Sequence, residues 1–153
     1  MTHPLPCPDR RTVLVTLAGV AAMAGTGPLR AETADMDAAI KAFTKGAPVT
    51  MGKVTIDISP LVENGNSASM GVFVDHPQTA QAFVRRIAVF NEKNPQPEVA
   101  VFHLNPRSGS SRVDTRIRLA TTQQLAAVAE LSDGSYWSDK REVIITIAAC
   151  LEE

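Results

Sequence analysis

Gln124-Leu125-Ala126-Ala127-Val128-Ala129-Glu130-Leu131 decides the fold. Its alanines would suit a helix, since alanine is the best helix former. Two features argue for a strand. Leu125, Ala127, Ala129 and Leu131 alternate, which is the period of a pleated chain. Asp133-Gly134 follows at once, and Asp-Gly is a hairpin turn signal. We therefore read Gln124 to Leu131 as a strand that turns back at Gly134. Tyr136 and Trp137 then lie on the returning limb. Val143-Ile144-Ile145-Thr146-Ile147 is a β-branched run that reads as a buried or half-buried final strand.

Working outward, the same texture recurs. Arg112 to Leu119 alternates, with Val113, Thr115, Ile117 and Leu119 on one side and Arg112, Asp114, Arg116 and Arg118 on the other. Glu98 to Leu104 forms another strand. Ala82 to Asn91 places Val84, Arg86, Ala88 and Phe90 on one face and Phe83, Arg85, Ile87 and Val89 on the other. Ser69 to Asp75 and Lys53 to Ile58 alternate too. The linking segments carry turn residues: Glu63 to Ser67 with its Asn-Gly pair, Glu92 to Pro97, and Asn105 to Ser111. Only Asp37 to Phe43 reads as a helix, with Asp35 as N-cap and Lys45-Gly46 as its stop. About seven short strands near ten residues apart predict an all-β chain: an immunoglobulin-like antiparallel β-sandwich with a short N-terminal helix.

The first 31 residues read as a cleaved leader. Arg10-Arg11 precedes an apolar stretch from Val13 to Met23, and Leu29-Arg30-Ala31 offers a cleavage point. Twin arginines favour the twin-arginine route over an ordinary secretory signal. The apolar stretch is too short to span a bilayer. The domain is then residues 32–153, in a periplasmic setting. Removing residues 1–31 takes away three of the 15 basic and one of the 16 acidic residues, leaving a net charge near −3. That balance speaks against nucleic acid or an anionic membrane surface as partner.

The two cysteines are Cys7, within the leader, and Cys150. An unpaired Cys in an oxidising compartment has three explanations: a reactive thiol, an intermolecular disulfide, or inert burial. A place beside the chain's end speaks against burial. His76, His103, Cys150 and a Met do not have the close ligand spacing of a metal site, so none is expected. A thiol on a short terminal arm cannot be held against a base, so no enzyme is expected either. The face bearing Arg112, Arg116 and Arg118 reads first as a solvated strand face and second as an anion or partner surface. Asp114 in the same row offsets part of its charge.

Four segments together resemble the SoxY family: Glu63-Asn64-Gly65-Asn66, Asn94 to Ala100, Thr115 to Ala120, and Ser132-Asp133-Gly134 leading to Val143-Ile-Ile-Thr-Ile-Ala-Ala-Cys150. The resemblance implies a sulfur carrier of periplasmic thiosulfate oxidation, without a cofactor or catalysis of its own. Sulfur intermediates would ride on Cys150. The implied partners are a second sandwich subunit of SoxZ type, a c-type cytochrome complex, a sulfate-releasing hydrolase and a sulfane dehydrogenase. The family's arm is Gly-Gly-Cys-Gly-Gly, whereas this chain has Ala148-Ala149-Cys150-Leu151-Glu152-Glu153. Alanine restricts positive φ, Leu151 adds bulk, and the acidic end disfavours a thiolate. Arg141 lies too far along the strand to offset that charge. The alternative is a divergent SoxY paralogue that keeps the sandwich as a binding or structural partner without carrying sulfur.

Overall fold

A computed structural model describes residues 33–147 of the 153-residue chain. The leader and the arm 148–153, Cys150 included, lie outside the described residues. A helix α1 (Thr33–Thr44) is followed by nine strands: β1 (Val49–Met51), β2 (Val54–Ile58), β3 (Leu61–Asn64), β4 (Ala68–Val74), β5 (Val84–Asn91), β6 (Glu98–His103), β7 (Arg112–Ile117), β8 (Gln123–Leu131) and β9 (Tyr136–Ile147). The larger sheet runs β1-β9-β8-β5-β6, with β3 also paired to β9, and the smaller runs β2-β4-β7. The fold is a β-sandwich with one short N-terminal helix.

All seven expected strands are present and pair antiparallel with one another. The other two, β1 and β3, are short and pair parallel to β9. Neither is among the strands expected from the sequence. Gly52 (φ 115°) and Lys53 (φ 55°) turn the chain from β1 in one sheet to β2 in the other. Glu63 and Asn64, expected in a loop, belong to β3, and the turn begins only at Gly65.

Strand β8 sits between β5 and β9, and alternation puts its side chains into two cores. Leu125, Ala127, Ala129 and Leu131 face the smaller sheet and share one core with its Val72 and Val74 and with Ile87 and Val89 of the neighbouring β5. Ala126 and Val128 face α1, packing with Met36, Phe43 and Phe90. Small residues suit β8 because both faces are covered at close range. The edge-on contacts of Phe43 with Phe90 (5.9 Å) and with Tyr136 (6.1 Å) fix the helix on the sheet.

Three expectations need correction. The helix begins at Thr33, so Asp35 lies inside its first turn and is not the cap. There its negative charge still favours the helix dipole. The stop at Lys45-Gly46 holds: both take positive φ, and the Gly46 N–H bonds the Lys41 carbonyl at 2.9 Å. In β5, Val84 packs in the inter-sheet core, not with Ala88 and Phe90, because the ladder with β8 shifts register between Val84 and Arg86. Finally, β9 is one twelve-residue strand, and its β-branched end is not core. Val143 is fully buried, but Ile144 is 51% exposed and Ile147 65%. The pairing with β8 stops at Val143, so the last four residues run past their neighbour.

Candidate functional site

That overhanging end of β9 leads directly towards Cys150. Cys150 lies three residues on from Ile147 in the sequence, a reach of at most about 10 Å at ~3.3 Å per residue. Free of β8, the overhang is tied down by other groups. The Ile144 N–H bonds the Pro60 carbonyl (2.9 Å) and the Ile145 N–H bonds Thr122 Oγ1 (3.0 Å). The Thr146 hydroxyl donates to the Glu63 carbonyl at 3.2 Å. β3 runs alongside, with Leu61 beside Ile144, Val62 beside Ile145 and Asn64 beside Ile147. The strand end is therefore anchored in backbone and open in side chain, a fixed root for whatever follows it.

The root is wired to the loop after β7. The Gly65 N–H bonds the Ile147 carbonyl at 3.0 Å, and the Gly65 carbonyl accepts from the Leu119 N–H at 2.7 Å. The Leu119 segment is in turn held by Asn94. Its amide N–H donates to the Arg118 carbonyl (2.8 Å), while its Oδ1 accepts from the Ala120 N–H (3.0 Å) and from Gln123 Nε2 (2.9 Å). One half-buried asparagine thus clamps β7's exit against the start of β8. Sequence reasoning missed this role. The polar Asn-Pro-Gln-Pro run signals a loop but does not say what its amide reaches.

The arginine row splits in two. Arg112 lies flat on the outer face of the smaller sheet, bonded to both oxygens of Asp114 and to Asp57 Oδ2 at 3.0 Å. Gly71 makes room for it: a Cβ there would stand 2.7 Å from Asp114 Oδ1 and 2.8 Å from Arg112 Nη2. The Arg112 hydrogen bonds hold the Asp114 carboxyl below its ordinary range, and the two acids push the Arg112 guanidinium up. Among the described residues Arg116 has only the Ser67 hydroxyl, at 3.5 Å, and Arg118 engages through its carbonyl. Arg141, expected to be too distant to serve the arm, is paired with Asp139 at 3.1 Å.

Neither His76 nor His103 joins a site. His103 is exposed at the end of β6, and His76 Nε2 is buried without a hydrogen-bond partner. Among the described residues no group of three or more His, Cys, Asp and Glu could hold a metal. No helix among them is long and apolar enough to cross a membrane.

Comparison with known proteins agrees with this geometry. The structure of the sulfur carrier protein SoxY from Chlorobium limicola f thiosulfatophilum is similar, with 28% identity and a TM-score of 0.62 over 72% of this chain and 91% of that one. Superoxide reductase (neelaredoxin) from Ignicoccus hospitalis shares the fold at 18% identity and TM-score 0.55, over 61% of this chain and 80% of that one. The superoxide reductase from Nanoarchaeum equitans does so at 12% and 0.53, over 63% and 100%. At such identities these last two speak for architecture alone. No curated protein matches the chain. The family model for the sulfur oxidation protein SoxY matches residues 40–150. The match covers most of the chain and runs from α1 to Cys150, so this chain belongs to the SoxY family of sulfur oxidation proteins.

Proposed function

We propose that the protein is a covalent carrier of sulfur intermediates in periplasmic thiosulfate oxidation, with Cys150 as the attachment site. The observation that carries this reading is the tied overhang of β9. A strand that outruns β8 by four residues, paired there with β3 alone and with Ile144 and Ile147 exposed, suits presentation of the next residues to other proteins. Family membership supplies the chemical context. In this reading the Cys150 thiol and the outer sulfur of thiosulfate form an S–S bond. A proton and a pair of electrons leave, and a c-type cytochrome complex takes the electrons. A hydrolase then adds water and releases sulfate, leaving a sulfane on Cys150 for a dehydrogenase. The carrier contributes no catalytic group, only position.

A SoxZ-like subunit completes the working unit, and residues 1–31 direct export. The departures at Ala148, Ala149, Leu151, Glu152 and Glu153 favour a second reading, a divergent SoxY paralogue that binds partners without carrying sulfur. Reconstituted thiosulfate oxidation separates the two. In the carrier reading Cys150→Ser abolishes turnover, and a Gly-Gly-Cys-Gly-Gly replacement of residues 148–152 leaves it unchanged or lower. Turnover indifferent to Cys150→Ser, or gained only with the glycine arm, supports the paralogue instead.

A further inference from the structure

Two cations, Arg116 on β7 and Arg118 just beyond it, remain without a carboxylate among the described residues, and both stand near the arm's root. Arg118 precedes Leu119, whose N–H bonds Gly65, whose own N–H bonds Ile147. This chain of contacts puts the Arg118 backbone on the order of 10 Å from the root. Arg116 reaches Ser67, two residues beyond Gly65 in the same turn. Both side chains line a hollow of about 420 Å³ with Asn94, Gln96, Glu98 and Val99. Both are exposed. Five other cations among the described residues do form ion pairs: Arg112 with Asp114 and Asp57, Arg86 with Glu130, Lys93 with Glu92, Lys140 with Asp37 and Arg141 with Asp139. Opposing charges at this end are Glu98 in the hollow and Glu63 on β3, and neither forms an ion pair with the two arginines.

We propose that Arg116 and Arg118 are a docking site for this chain's own residues 148–153, receiving the carboxylates of Glu152 and Glu153. Length permits it: from Ile147 to Glu152 the chain spans up to about 16 Å. Charge complementarity selects the occupant, since the segment that follows Ile147 carries two adjacent acids, Glu152 and Glu153. Docking parks the acidic tip on the body of the sandwich and brings positive charge towards Cys150, where the tip alone would bring only negative charge. A partner that takes up the arm competes with the arginines for those acids. The site does not require Cys150 to carry sulfur, so it stands or falls separately from the carrier reading.

The test uses the full chain with Cys7→Ser, so that a nitroxide can be placed on Cys150 alone. Backbone amide signals then report its proximity. At low ionic strength the label broadens Gly65, Ser67, Arg116 and Ile117. In Arg116→Gln/Arg118→Gln, and equally in Glu152→Gln/Glu153→Gln, the enhancement at Arg116 and Ile117 falls at least about twofold, as it does in 1 M salt, where charges are screened beyond about 3 Å. Gly65 stays broadened throughout because the tether alone holds the label near it, and unchanged shifts in β8 certify the fold. Enhancement at Arg116 and Ile117 that is indifferent to both charge variants overturns the proposal.

Discussion

Strand β8 and the end of β9 have exchanged the roles their compositions suggest. Gln123–Leu131 is rich in alanine, yet seven of its nine residues are buried. Ile144–Ile147 is β-branched throughout, yet only Ile145 is even half-buried. The difference is position. β8 has strands on both edges, the smaller sheet over one face and α1 over the other, so small side chains are what fit. The end of β9 has left β8 behind and keeps only β3 beside it. Burial follows from what lies opposite, and the β-branched residues here suit the extended backbone that β9 keeps beyond β8.

The sharpest way to break this contrast is truncation. Leu125→Ala, which opens a cavity at a fully buried site, is expected to cost about 2–5 kcal/mol. Ile144→Ala or Ile147→Ala is expected to cost under about 1 kcal/mol, as for exposed positions. Urea denaturation measures both, and similar costs at the two sites would refute the difference in burial.

A second test concerns how β9 is held where it passes the smaller sheet. Asp139 Oδ2 accepts from the Ile56 backbone N–H at 3.0 Å and from Arg141 Nε at 3.1 Å, joining the two sheets. Asp139→Ala leaves that N–H unpaired, a loss of about 1–3 kcal/mol. If denaturation shows no loss, the corner is held by packing alone.

The clamp at the root of the arm gives a smaller and more local effect. Asn94→Ala removes three hydrogen bonds from the Arg118–Gln123 segment, with an expected cost of about 1–2 kcal/mol. Amide exchange should speed up at Leu119 and Gly65 while β8 keeps its protection. Uniform acceleration across the sandwich would mean that the root is not a separately held unit.

The smallest effect is on the acid side of the pH profile. Asp114 is held below its ordinary range by Arg112, so its contribution is fully present above the ordinary carboxylate pKa of about 4. It is lost as pH falls through the lowered folded-state value. Both groups are exposed, so the contribution is small. Arg112→Gln should flatten the decline of Tm below about pH 4 and leave neutral pH nearly untouched. A variant with an unaltered acid limb would show that the pair does not couple to folding.

The sandwich was legible because alternation survives wherever one face is buried. Met70, Val72 and Val74 on β4, and Leu125 to Leu131 on β8, are core as their spacing says. What stayed illegible depends on long-range pairing. β1 and β3 are three and four residues long and exist because β9 offers them an edge. No local pattern states that β8 ends its pairing at Val143, so the run to Ile147 looked like core. At the candidate site, the sequence pointed to Cys150 through its isolation and through the family likeness. Asp114 could be seen beside Arg112 in the same row, but the division of that row was hidden, because only the register of β2, β4 and β7 adds Asp57 to Arg112, while Arg116 and Arg118 have no carboxylate partner among the described residues.

The central claim is that this overhang displays a thiol that sulfur chemistry uses. Intact-mass measurement of the protein from cells oxidising thiosulfate addresses it most directly. The account predicts a mass increase of a thiosulfonate or sulfane adduct that maps to Cys150, disappears on reduction and is absent from Cys150→Ser. A population with no adduct at Cys150 under those conditions would contradict it.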